Sequence, residues 1–255
     1  MEALSKIILF GNGHLGQFLL PKLKNYDVVS TKTKSDKNNI EYNLGQPIPR
    51  EFTDQPSAVI WTIPPRQYYL KSLKQANTYF SQKVPWFFIS STSVYLSGSV
   101  NEDSPLNGTS ENAKRLVELE NYLSQQERSV TVLRPGGLVD EYRHPARFLS
   151  QKTTIENGLD PVNLVHTDDV ANFIQHLLAN PRFMGTTYNL VSDTSMTKKD
   201  YYLPFLKNYF NSSPDFSEST HSLKSVSNKK AKSLGFKFKD VSFSNLKLLF
   251  AQGSQ

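Results

Sequence analysis

Three glycines near the start of the chain, Gly11, Gly13 and Gly16, stand in the spacing G-x-G-x-x-G, which suits a backbone that wraps an anion. Gly11 permits a tight turn, Gly13 removes a Cβ so that backbone can approach a diphosphate, and Gly16 lets a helix sit close against a strand. Asn12, His14 and Leu15 complete the expected contact loop, with His14 lining the turn. A second chemically capable group is Ser90-Ser91-Thr92-Ser93-Val94-Tyr95. Hydroxyls clustered behind an apolar run are unusual in a core and suit hydrogen bonding to a polar substrate. A third group is Ser30-Thr31-Lys32-Thr33-Lys34, where two cations precede the first acid, Asp36.

These residues need elements to hold them. Ile7 to Phe10 form an apolar run without polar alternation, the pattern of a buried parallel strand. Leu15, Phe18, Leu19, Leu20 and Leu23 follow with a helical period, so the glycines lie between a strand and a helix. That context makes the triplet a dinucleotide turn, because the helix N-terminus adds unspent N–H groups and a positive dipole end. Tyr26 to Thr31 is the second strand. A chain built for NAD places an acid about 20 residues beyond the glycines, whereas a 2′-phosphate needs cations there. Thr31, Lys32 and Lys34 therefore make NADP the expected cofactor and NAD the less favoured one.

Further along, Ile40 to Leu44 is a short third strand, and Ser57 to Ile63 a fourth that Pro64-Pro65 must end. Ile63, Pro64 and Pro65 then border the cofactor crevice. A helix over Tyr69, Leu70, Leu73 and Ala76 leads to the strand Trp86 to Ile89 and its hydroxyl cluster. Thr109 or Ser110 caps the next helix, which turns Leu116, Leu119 and Leu123 inward between Glu111 and Glu120. Val130 to Leu133 is a strand leading into a break at Arg134-Pro135-Gly136-Gly137-Leu138, where Arg134 and Pro135, with Ser90 opposite, are expected at the cofactor. Val162 to Val165 is another strand, followed by His166-Thr167-Asp168-Asp169 and a helix that Asp168 or Asp169 can cap. Strand Thr187 to Val191, helix Lys198 to Phe210, a loop over Asn211 to Ser227 with one short strand, and a small lobe from Lys229 to Phe250 complete the order. Alternating strands and helices define an α/β class: a doubly wound parallel sheet (Rossmann fold) with a small C-terminal α+β substrate lobe. Residues 1–191 form the dinucleotide domain, with 140–160 contributing to the substrate lobe, and 192–255 form that lobe.

Composition narrows the function. No apolar run approaches the length of a membrane span, and Met-Glu-Ala-Leu-Ser lacks the order of a signal peptide, so a cytoplasmic protein is expected. The absence of cysteine excludes disulfides, thiol nucleophiles and thiolate metal sites, and no metal centre is expected. The formal net charge of +6 comes from lysines spread among acids, with one short cluster at Lys229, Lys230 and Lys232. Without a recognition motif this is a solvated surface and no nucleic-acid partner is expected. The partner expected is a small-molecule substrate, acting on a monomer or homodimer.

Gly11-Asn-Gly-His-Leu-Gly16, Ser90-Ser-Thr-Ser-Val-Tyr95, Leu133-Arg-Pro-Gly-Gly137 and Val162-Asn-Leu-Val-His-Thr-Asp-Asp-Val170 with Tyr188-Asn-Leu190, in this order, resemble the extended and atypical short-chain dehydrogenase/reductase superfamily, the NAD-dependent epimerase/dehydratase-like proteins. The resemblance implies a Ser or Thr that polarises a substrate oxygen, a Tyr acid/base, and a Lys four residues later that lowers the Tyr pKa and holds the nicotinamide ribose. By this resemblance Ser91 takes the hydroxyl position, and Lys114 the lysine because Glu118 follows at the family interval. The tyrosine position holds Ser110. A serine hydroxyl cannot exchange a proton near neutrality without another base. Tyr95 could supply a phenol from another direction, and His166 is expected to make a structural hydrogen bond. Two readings follow: an NADP-dependent oxidoreductase or epimerase-like enzyme for a carbonyl or carbinol, nucleotide sugars included, and a non-catalytic NADP(H)-binding module or redox sensor that acts through a protein partner.

Overall fold

The computed structural model describes residues 5–52 and 55–249. Phe250, taken above as the end of the C-terminal lobe, lies outside them. The first strand, β1 (Lys6–Phe10), passes through the glycine turn into α1 (His14–Leu19). The chain then forms β2 (Asp27–Lys32), β3 (Asn39–Glu41), β4 (Ala58–Trp61), α2 (Tyr69–Tyr79), β5 (Trp86–Ile89), β6 (Ser99–Val100), α3 (Glu111–Ser124) and β7 (Val130–Pro135). After β8 (Gly137–Val139), α4 (Ala146–Leu149), β9 (Thr154–Ile155), β10 (Leu164–His166), α5 (Thr167–Ala179) and β11 (Thr187–Leu190) come α6 (Lys198–Phe210), β12 (Asp215–Phe216), β13 (Ser225–Val226) and α7 (Lys229–Lys232).

The seven-stranded central sheet has the order β11-β7-β5-β4-β1-β2-β3, and the six strands from β7 to β3 pair in parallel. This is the doubly wound α/β arrangement, with its strand order reversing between β1 and β4. Ile7, Ile8, Leu9, Phe10, Val59, Ile60 and Trp61 have no exposed surface, which explains runs that never alternate with polar residues. The Phe10 ring lies 4.8 Å from that of Trp61, and Trp61 stacks on Trp86 at 6.2 Å. Buried Arg128 lies over Trp86 and donates to the carbonyls of Asn77, Phe80 and Val84, satisfying acceptors at and beyond the end of α2.

The chain divides into two compact units. One comprises Met1–Val94, Leu106–Arg134 and Val170–Tyr188, and the other Tyr95–Pro105, Pro135–Asp169 and Asn189–Gln255. The second unit includes residues 140–160 and 192–249 together with Tyr95–Pro105 and the segments that flank them. Its core joins Val139, Ala146 and Leu164 to Tyr201, Phe205, Leu206, Val241 and Leu246.

Local departures have local causes. The first α-helix stops at Leu19 and Leu20–Leu23 is a 3₁₀ turn, because Pro21 has no N–H to continue the α ladder. The break expected at Arg134 to Leu138 is only a hinge between β7 and β8: Gly137 N–H donates to Asn163 O at 2.8 Å, pairing β8 with β10. The segment Asn211 to Ser227 holds two short strands, β12 and β13, each parallel to an earlier one. Asp168 and Asp169 lie in the first turn of α5 and bind Lys239, while His166 Nδ1 accepts Asp168 N–H at 3.1 Å. The imidazole thus holds one N–H of that helix start, with both aspartates in the first turn.

In the second unit, His144 is buried against Tyr201 and Phe205, with ring centroids 5.6 and 4.2 Å away, and its Nδ1 accepts Ala146 N–H at 3.2 Å. Burial pulls its pKa from 6.5 down to about 3. The unfolded chain therefore takes up a proton that the fold refuses. This contribution to stability is complete above about pH 6.5 and declines as pH falls toward 3, by at most about 1.4 kcal/mol per pH unit. Denaturant titrations at pH 7.5 and 4.5 should show the wild type losing about 2–3 kcal/mol more than His144→Asn across that interval. Equal losses would exclude the buried neutral imidazole.

Candidate functional site

Gly11 has a φ of +100°, and a Cβ there would stand 2.9 Å from Ile63 Cγ1. Only glycine fits both limits. The turn is fastened on two sides. Gly11 N–H donates to Thr31 Oγ1 at 3.0 Å and Asn12 N–H to Thr31 O at 2.7 Å, while Thr62 Oγ1 donates to Gly11 O at 2.5 Å. A Cβ on Gly16 would lie 2.9 Å from Asn12 Oδ1 and 3.0 Å from Gly11 O, so α1 sits directly against the turn. Around Gly13 the outcome is reversed: a Cβ there would meet nothing within 4 Å. The loop therefore has a rigid base and an open front over Gly13, at the start of α1, a cradle that fits a diphosphate.

The other residues expected at this cradle divide by exposure. Thr31 is 1% exposed and builds the turn from within. Leu15 is buried core, and the His14 ring lies 5.4 Å from that of Phe18 on the first turn of α1. Ile63 O accepts from the buried Tyr69 hydroxyl at 2.6 Å, which fixes the end of β4 beside Gly11, and Pro64 is exposed just beyond it.

Lys32 is the last residue of β2, and Lys34 lies exposed in the loop that leads to β3. Lys32 Nζ is 3.1 Å from Asp36 Oδ2, so one of the two cations already has an acid beside it. Asp36 also accepts from Asn38 N–H at 2.9 Å and from Asn39 Nδ2 at 2.6 Å. Hydrogen bonding from Asn39 and Asn38, with Lys32 beside it, holds the Asp36 carboxyl down at about 2.

Behind the hydroxyl cluster lies a buried group that sequence reasoning did not assemble. Ser90 Oγ donates to Glu120 Oε1, and Glu120 receives Arg134 Nε at 3.1 Å and Nη2 at 2.5 Å, with both charged side chains 5% exposed. Arg134 is therefore held by Glu120 in the interior, where the sequence expected it at the cofactor. Ser90, expected there too, is buried on the same carboxylate, and Pro135 is buried at the end of β7. The legible signal was a glutamate at 120 in phase with Ala113, Leu116 and Leu123 on the inward stripe of α3. Ser91, the next residue, is partly exposed, and its Oγ accepts Ser93 N–H at 3.1 Å, leaving the hydroxyl proton to be donated.

Helix α3 also settles where Lys114 lies. Its side chain is 63% exposed and 3.8 Å from Glu111, on the outer face with Glu118. Both line an open groove of about 520 Å³ with Leu106, Val117 and Asn121. Ser110 Oγ accepts Ala113 N–H at 3.2 Å and caps the helix. The face that brings Glu120 to Ser90 carries Leu116 and Ala113 one and two turns earlier, so no lysine follows that register. Tyr95 belongs to the second unit, where it is 2% exposed and donates its hydroxyl to Asn189 Oδ1 at 2.9 Å. The structure thus gives Tyr95 a buried hydrogen-bonding role and Lys114 a surface one.

Comparison with known proteins fits this geometry. No protein-family model matches the sequence. The protein YeeZ of Escherichia coli strain K12 is 30% identical over 226 residues, an alignment covering 78% of this chain and 82% of that protein, and YeeZ of E. coli O157:H7 gives the same values. The chain belongs to the YeeZ family. Its fold is that of the NAD-dependent epimerase/dehydratase and short-chain dehydrogenase/reductase proteins. UDP-glucose 4-epimerase of Thermus thermophilus, solved with NAD, superposes with a TM-score of 0.74 at 17% identity over 98% of this chain and 100% of that one. MoeE5, solved with UDP-glucuronic acid and NAD, gives 0.74 at 18% over 94% and 97%. A short-chain dehydrogenase/reductase superfamily protein of Agrobacterium tumefaciens with bound NAD gives 0.73 at 15% over 92% and 93%.

Proposed function

We propose that this YeeZ-family chain binds a nicotinamide dinucleotide at Gly11 to Gly16, NADP(H) in preference to NAD(H), and acts as an oxidoreductase or epimerase-like protein on a carbonyl or carbinol substrate. The observation that carries the reading is the cradle itself, rigid beneath Gly11 and open over Gly13 at the point where the strand order reverses. The NAD held by several solved neighbours supports the cofactor class. Lys32 and Lys34 support the additional phosphate. Nucleotide sugars are the proposed substrate class, as in two of those neighbours. The absence of cysteine fits a reducing cytoplasmic compartment, and among the described residues no helix is long and apolar enough to cross a membrane.

A bound nicotinamide supplies or accepts a hydride. The chain's own part is to orient the diphosphate with the turn and α1, and to donate the Ser91 hydroxyl proton to a substrate oxygen. With Leu116 and Ala113 on the inward face of α3, that helix offers no proton relay, so water or a substrate group must carry the proton. The same observation favours a second reading, a module that holds NADP(H) and signals through a protein partner. Consumption of NADPH over a panel of aldehydes, ketones and nucleotide sugars separates the two: turnover lost in Ser91→Ala supports the enzyme, and tight binding without turnover supports the module.

Fluorescence titration tests the cofactor choice. Replacing both Lys32 and Lys34 by alanine should weaken NADPH about tenfold or more while NADH stays within about twofold, since only contacts to the 2′-phosphate are removed. A tenfold preference of the wild type for NADH would overturn it.

A further inference from the structure

The short lysine cluster near the end of the chain belongs to a longer basic stretch. Residues 229–239 carry five lysines, Lys229, Lys230, Lys232, Lys237 and Lys239, and no acid, so of a formal total of +6 the whole remainder of the chain carries +1. The fold turns this stretch outward. α7 is a single turn that buries Ala231 and leaves Lys229 and Lys232 exposed to either side of it. Gly235, with a φ of +80° and its N–H on Lys232 O at 2.9 Å, then leads into Phe236-Lys237-Phe238-Lys239, where the lysines are exposed and the phenylalanines half-buried. The two rings meet edge to face with centroids 5.1 Å apart. Lys232 pairs with Asp193 at 2.8 Å and Lys239 with Asp168 at 2.7 Å, which tethers the stretch at two points. Lys229 and Lys237 form no ion pair among the described residues.

We propose that residues 229–239 are a surface that adsorbs reversibly to an anionic lipid bilayer, a property independent of the dinucleotide reading. A lysine held near a negatively charged membrane surface gains about fivefold in affinity, and several in one short stretch add up to a stable but salt-sensitive attachment. The half-buried rings between the cations supply a shallow apolar contact at headgroup depth, without the apolar area that insertion requires. Nucleic acid is the competing polyanion, and the stretch is poorly made for it. It contains no arginine, hence no planar fork to bind phosphate in two places or to stack on a base. Its phenylalanine rings pack on each other, where base stacking needs open ring faces. A fluid layer of headgroups demands no such geometry, only a concentration of positive charge.

The test is sedimentation of the full chain with vesicles of phosphatidylcholine alone and of equal parts phosphatidylcholine and phosphatidylglycerol. Wild type should bind the anionic vesicles about tenfold or more tightly than the neutral ones, and added salt should release it as the screening length falls below about 10 Å. Lys229→Ala with Lys237→Ala should weaken binding to the anionic vesicles about 20-fold, while Tm stays within about 2 °C of wild type because both side chains are exposed. Lys24→Ala with Lys71→Ala, two exposed lysines of the first unit, lowers the net charge equally and should change binding less than about threefold. A wild type that does not sediment with anionic vesicles, or that sediments equally with both kinds, overturns the proposal. So does a loss in the first double variant no larger than in the second. Release of wild type from the vesicles by duplex DNA added at the same phosphate concentration would assign the surface to nucleic acid and overturn the proposal as well.

Discussion

Gly11→Ala is expected to lose about 100-fold or more in affinity for a nicotinamide dinucleotide, whereas Gly13→Ala should lose a comparable amount without any cost to folding. The two changes add the same methyl group to opposite sides of one loop. At Gly11 the backbone has a φ of +100°, and the new Cβ would stand 2.9 Å from Ile63 Cγ1 and 3.1 Å from Ile63 N. The left-handed conformation alone costs about 1–2 kcal/mol for an alanine, and the Ile63 main chain cannot retreat because its carbonyl is bonded to buried Tyr69. The turn must open, which breaks the Thr31 contacts that shape it and lowers Tm. At Gly13 nothing in the protein lies within 4 Å of the new methyl, so Tm should stay within about 2 °C of wild type. The loss of binding there would come only from the approaching diphosphate. Calorimetric titration with NADH and NADPH, paired with thermal melts, reads both effects. Gly13→Ala binding as tightly as wild type would remove the diphosphate from this loop.

What could be seen in the sequence was what is local. Strand, glycine turn and helix fall within 19 residues from Lys6 to Lys24, so spacing and apolar period suffice, and each apolar run reads as a buried strand. The hydroxyl-rich end of β5 was visible for the same reason. The buried group of Ser90, Glu120 and Arg134 was not. Two glutamates, Glu118 and Glu120, lie on one helix; by the resemblance Glu118 served only to mark the interval to Lys114, whereas burial singles out Glu120. Helical phase contained that information, since Glu120 and not Glu118 is in step with Leu116 and Leu123. The partners that give it meaning were out of reach, 30 residues away at Ser90 and 14 at Arg134. The pairing of Lys32 with Asp36 lay within one short loop, but the clamp that makes it rigid runs through Asn39 to Asn12, 27 residues back. Each compact unit gathers three separate segments of the chain, a grouping by contact that local spacing does not express.

The largest expected effect on stability comes from Glu120→Ala. Arg134 retains its charge at any accessible pH, and with 5% of its side chain exposed it has little water to replace the carboxylate that now binds it through Nε and Nη2. Removing one member of a buried pair costs about 3–5 kcal/mol because the other charge stays buried without its counter-charge. For a chain of this length that is a fall in Tm on the order of 10 °C. The pair is not the same thing as its loss: Glu120→Leu with Arg134→Met, apolar groups of similar volume, should recover most of the deficit, since desolvating two charges offsets much of their attraction. Ser90 separates packing from function in this comparison. Its hydroxyl loses the Glu120 acceptor in both variants, while its N–H still donates to Leu133 O at 2.7 Å and keeps the strand end in register. If the carboxylate serves only to hold Arg134, the double variant should match wild type in dinucleotide affinity as well as in Tm. If it also positions the Ser90-Ser91 segment, Tm returns while turnover, or binding of the substrate analogue, does not. A Glu120→Ala protein melting within about 2 °C of wild type would show that the buried pair contributes nothing to the fold.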